Sequence, residues 1–158
     1  MNTVIISYDN INFRHAKTAI VNIKEKAYNR ISEYITRARQ IVLEKLGLDK
    51  ESTSFHNAEF YNGDQLLVIN EKNNKIAKTA IIIYDRQEFD FAKTAIINMQ
   101  DIDVSAMEPD MEQTVTEYIE HAKDILLNTL GLDKETTRFY TCSLYNNEDI
   151  TVIDGEFE

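Results

Sequence analysis

Apolar and polar residues follow each other in the same order twice along this chain. Thr3 to Tyr8 and Lys17 to Ile23 are short runs rich in Ile, Val and Thr, the composition of strands. Ile31, Ile35, Ala38, Val42 and Leu46 then recur at three- and four-residue spacing, which predicts one apolar face on a long helix. Ser54 to Phe60 alternates, and Leu66 to Ile69 is again apolar. Between them Tyr61-Asn62-Gly63-Asp64 predicts a tight hairpin turn. The order then restarts. A helix face is predicted from Val115, Ile119, Ala122, Leu126 and Leu130, and strands at Arg138 to Leu144 and Ile150 to Ile153, joined at Tyr145-Asn146-Asn147-Glu148.

The second pass resembles the first residue by residue. Thr3–Ile23 matches Thr79–Met99 with 12 of 21 positions identical, and Ile31–Lys50 matches Val115–Lys134 with 11 of 20 identical. The offset is 76 in the first match and 84 in the second, so eight extra residues fall within Gln100 to Asp110. Ordered self-similarity of this kind predicts a tandem duplication. Both helices run into Leu-Gly-Leu-Asp-Lys, where Gly47 and Gly131 can take a left-handed conformation that ends the helix. Pro109, the only proline, stands where a first-turn residue of the second helix is expected. The predicted fold class is α+β: a duplicated ββαββ unit, antiparallel in its sheet or sheets, with one long helix per repeat on one face. The predicted division is 1–75 and 76–158, with the two repeats packed as one compact body.

Composition narrows the class. With 43% hydrophobic and 28% charged residues the chain is ordinary for a soluble protein. No apolar run approaches the roughly 20 residues of a membrane span. The opening Met1-Asn2-Thr3-Val4 enters a strand pattern directly, without the features of a signal peptide. A single cysteine, Cys142, suits a reducing cytoplasm. Its counterpart is Ala58, so a small buried residue is expected there and not a reactive thiol.

Little in the chain predicts catalysis. The four glycines are taken by the two helix ends, the Gly63 turn and the tail at Gly155, leaving none for a phosphate-cradling loop. His15, His56 and His121 match Phe91, Tyr140 and Arg37 in the other repeat, so no histidine site is duplicated. His121 lies near Glu117, Glu120 and Asp124, without the second histidine that a helical metal site would want. The expectation is a protein that is not an enzyme and carries no metal or cofactor.

Charge is the distinctive chemistry. Residues 1–75 carry 11 basic and 9 acidic side chains, net +2, whereas 76–158 carry 6 and 18, net −12. The acid gathers around the second helix at Asp101, Asp103, Glu108, Asp110, Glu112, Glu117, Glu120 and Asp124. A row of carboxylates can imitate a phosphate backbone and occupy a basic groove. The leading expectation is therefore a protein-binding inhibitor of anti-defence type, from a phage or mobile element. Its acidic repeat would dock on a basic, nucleic-acid-binding surface of a bacterial host protein. Direct contact with nucleic acid is disfavoured by the net field, and a membrane partner is not expected.

Two alternatives belong to other classes. Thr18 and Asn22 recur as Thr94 and Asn98, and Tyr8 recurs as Tyr84. These six residues could line paired pockets for a nucleotide-like small molecule on a sheet face. The basic first helix of one molecule could also meet the acidic second helix of another, forming a head-to-tail homo-oligomer.

Overall fold

The computed structural model describes residues 2–23, 30–62, 65–71, 76–100, 102 and 111–154. The protein is α+β, with two long helices and two four-stranded mixed sheets. The first sheet has the order β3-β1-β2-β8, from β1 (Asn2–Asn10), β2 (Lys17–Ile23), β3 (Thr53–Tyr61) and β8 (Ile150–Asp154). The second has the order β4-β6-β5-β7, from β4 (Leu66–Asn70), β5 (Lys78–Arg86), β6 (Lys93–Met99) and β7 (Thr137–Asn146).

Two expectations are corrected here. The strands on either side of Tyr61-Asn62-Gly63-Asp64 do not form a hairpin, because β3 and β4 belong to different sheets; β7 and β8 are separated in the same way. Nor are the sheets purely antiparallel. β8 runs parallel to β2, with Thr18 opposite Ile150 and Asn22 opposite Asp154, and β4 runs parallel to β6, with Leu66 opposite Thr94 and Asn70 opposite Asn98. A tight two-residue turn permits only antiparallel neighbours. Each last strand instead finds an edge whose apolar alternation it completes: Ile153 joins the core over β1 and β2, and Ile69 joins the core over β5 and β6.

The chain thus forms two compact units, one of residues 1–64 with 148–158 and the other of residues 65–147. β8 accordingly belongs to the unit of β1, β2 and β3, and β4 to the unit of β5, β6 and β7.

Within the first unit, α1 (Ile31–Leu46) packs Tyr34, Ala38, Ile41 and Val42 against Val4, Ile6, Tyr8, Ala19, Val21 and Ile23. Within the second, α2 (Met111–Leu130) packs Tyr118, Ala122 and Leu126 against Ala80, Ile82, Tyr84, Ala95, Ile97 and Met99. Each sheet gives alternate residues to its helix, as the two-residue period requires. Gly47 and Gly131 end the helices at φ 64°, and the amides of Leu48 and Leu132 donate to the carbonyls of Leu43 and Leu127. Pro109 lies outside the described residues.

Candidate functional site

The acidic residues singled out in the sequence divide into two groups. Asp101, Asp103, Glu108 and Asp110 lie outside the described residues. Glu112, Glu117, Glu120 and Asp124 stand on α2, where 112, 120 and 124 are exposed and 117 is half-buried. At 100° per residue, Glu117, Glu120 and Asp124 fall within one stripe, nearly opposite the buried Ala122. Lys123 offsets the stripe in part, with Nζ 3.2 Å from Glu120. The equivalent positions on α1 are Glu33, Thr36 and Gln40. The outer face of α2 therefore differs from that of α1 by two carboxylates at matching positions.

The larger charge asymmetry changes once strands are assigned to units. Counting by compact unit, the first carries 9 basic and 13 acidic residues, net −4, and the second carries 8 and 14, net −6. The acidic last segment of the sequence belongs to the more basic unit. The contrast of +2 against −12 is a property of the linear sequence, and what persists in the fold is local to α2.

The six residues of the alternative pocket are not brought together. Tyr8 and Tyr84 lie in the helix-side cores, with Phe13 and Phe89 edge-on at 5.9 and 6.0 Å. Burial pushes both phenols above their ordinary pKa, and at Tyr8 the Thr151 hydroxyl opposes the shift. Thr18, Asn22, Thr94 and Asn98 alternate with core residues and so occupy the other faces of the sheets. Asn22 accepts from the Thr3 hydroxyl at 2.8 Å and donates to Asp154 at 2.9 Å. Asn98 does the same between Thr79 at 2.7 Å and Asn70 at 2.6 Å. These rows cross three strands and tie each parallel edge strand to its sheet. Their recurrence has a structural cause.

Another repeated feature escaped the sequence reading. Lys17 lies over the Phe13 ring at 4.8 Å and Lys93 over Phe89 at 4.7 Å, while Arg39 over Phe55 and Lys123 over Phe139 sit at 5.7 and 5.2 Å. The signal was present as a Phe four residues before each Lys-Thr-Ala-Ile. The stacking explains why that lysine recurs.

The histidines go to separate acids. His15 meets Asp149 at 2.8 Å, and His121 meets Glu71 at 3.1 Å. Among the described residues no group of three or more His, Cys, Asp and Glu is arranged to hold a metal ion. Cys142 is half-buried against the second core, and burial pushes its thiol pKa up, with Lys123 opposing and Glu120 adding to the shift. No helix among the described residues is long and apolar enough to cross a membrane. Comparison with protein-family models, curated proteins and solved structures finds no match.

Proposed function

We propose that the chain is a tandem duplication of a ββαββ unit that works as a non-enzymatic binding protein, docking through the outer face of α2 on a basic surface of a partner. The observation that carries this reading is the stripe of Glu117, Glu120 and Asp124, where α1 has Glu33, Thr36 and Gln40. Like charges three and four residues apart destabilise a helix by about 0.2–0.5 kcal/mol per pair. Lys123 offsets the charge of Glu120, the member common to both pairs. An unfavourable arrangement present in one helix and absent from its twin suits a surface selected for an external cation.

A basic groove built for nucleic acid matches such a stripe, because both present anionic groups on a helical track. An inhibitor of a nucleic-acid-handling defence enzyme, acting in the cytoplasm of a bacterial host cell and carried by a phage or mobile element, is the kind of protein this describes. The duplicated sheet-face pocket is less favoured, since Asn22 and Asn98 engage their amides within the sheets. The head-to-tail oligomer, in which the basic first helix of one molecule meets the acidic second helix of another, is less favoured because both units are net acidic.

Native mass spectrometry of tagged protein recovered from bacterial cells tests the proposal. The variant Glu117→Lys/Glu120→Lys/Asp124→Lys is compared with the wild type. A basic nucleic-acid-binding protein should accompany the wild type and be lost from the variant. Recovery of the same partner by both, or of none by the wild type, sinks the docking face.

A further inference from the structure

The only two arginines in residues 76–158 are Arg86 and Arg138, and both line one open cavity of about 490 Å³ with Asp85, Gln87, Glu135, Thr136 and Tyr140. That volume lies in the range of small-molecule sites. Two guanidinium groups converge in this way within the stretch of chain poorest in basic residues. At the matching positions of the first unit stand Asn10, Ser54 and His56 in place of Arg86, Arg138 and Tyr140. There Asn10 simply pins a turn, donating to Ser52 at 3.2 Å and Thr53 at 2.9 Å.

The two arginines are incompletely used. Arg86 donates from Nη2 to Thr136 at 3.1 Å and pairs with Glu88 at 3.0 Å, but its buried Nε–H has no acceptor among the described residues. A buried donor left unmet is costly and is rare in native folds. Glu88 is 65% exposed, so the pair it makes is weak and readily exchanged. Arg138, opposite Asp85 in the ladder, is exposed and makes no ion pair or side-chain hydrogen bond with another described residue. Tyr140 presents an exposed ring beside it. Arg138 and Tyr140 alternate with Phe139, a core residue packed toward α2, and so lie on the sheet face away from the proposed docking stripe.

We infer that this cavity binds a phosphomonoester, whose oxyanion displaces Glu88 from Arg86 and bridges to Arg138. Planar guanidinium forks match phosphate geometry in pairs of hydrogen bonds. The two carboxylates in the lining select for the rest of the ligand. Asp85 accepts the Arg86 amide at 2.8 Å through one oxygen, and its other oxygen and Glu135 are suited to hydroxyls of a sugar. Tyr140 supplies a surface on which a planar base can stack. Sugar phosphates and mononucleotides share this chemistry.

Titration calorimetry at constant ionic strength tests the site with inorganic phosphate, ribose 5-phosphate and adenosine 5′-monophosphate. Saturable binding of at least one phosphomonoester is expected, weakened about tenfold or more by Arg138→Gln, as a lost charged hydrogen bond requires. Glu88→Gln should tighten it by removing the competing carboxylate, and Arg37→Gln on α1 should leave it unchanged. A preference for the nucleotide that Tyr140→Ala abolishes assigns a mononucleotide; equal binding of the two phosphomonoesters assigns a sugar phosphate. No saturable binding, or binding indifferent to Arg138→Gln, overturns the inference. These outcomes leave the α2 docking face untouched, because the substitutions lie on other elements.

Discussion

At the scale of single residues, the titrating groups that the fold perturbs are those it buries. The Cys142 thiol is held above its ordinary value of 9.0 by burial first, and Tyr8 and Tyr84 above 10.0 for the same reason. In each case the unfolded chain gives up its proton at lower pH than the native one. The stabilisation is therefore complete below the unfolded pKa and is lost as pH rises through the folded value. Urea midpoints should hold steady from about pH 6 to 8 and fall above about pH 9, the tyrosines extending the fall beyond about pH 10. Cys142→Ala, the residue found at position 58, should remove the first part of that decline. An identical pH profile in the variant would show that the thiol does not contribute. Alkylation of Cys142 by iodoacetamide at neutral pH should likewise be slower than that of a free cysteine. Its pairing with Ala58 already implied a small residue against the core. That its burial is only partial was not visible, because it depends on how the second core closes over β7.

Among the elements, the helices were the most readable and their faces less so. The three- and four-residue spacing located α1 and α2, yet Ile31 is 57% exposed while Tyr34 and Ile41 are buried. Tyr34 packs on Phe60 at 4.7 Å, and its hydroxyl accepts from the Asn2 side chain at 3.0 Å. An amphipathic ring that satisfies its own polar end can enter a core that an apolar-only pattern would deny it. The C-terminal ends of the helices were readable, because a positive φ has few chemical solutions. A Cβ added at Gly47 or Gly131 would meet nothing within 4 Å, so the cost of substitution is conformational alone. Gly47→Ala and Gly131→Ala should each lower unfolding free energy by about 1–2 kcal/mol. Asparagine, which tolerates the left-handed region, should recover part of the loss. Equal stability of the alanine and asparagine variants in urea denaturation would place the cost elsewhere.

For the whole molecule, the internal self-similarity was legible in the sequence, but the partition of strands between units was not. Alternation says which face of a strand is buried and nothing about which sheet receives it. Leu66–Asn70 and Ile150–Asp154 have the same pattern, and either would complete either edge. The exchange of these strands also removes most of the charge contrast read along the sequence, since the carboxylates of the last segment join the more basic unit. Truncation separates the observed arrangement from self-contained repeats. Deleting residues 148–158 removes β8, and with it Ile153 from the core built on β1, β2 and α1. Amide exchange should then accelerate in β2 of the first unit, whereas β6 keeps its protection because β4 still covers it. Repeats closed on themselves would show the reverse, with β6 exposed and β2 intact. Ile153→Ala offers a milder form of the same experiment, costing about 2 kcal/mol or more. Its destabilisation should again appear first in the unit that holds α1, far along the chain from the altered residue.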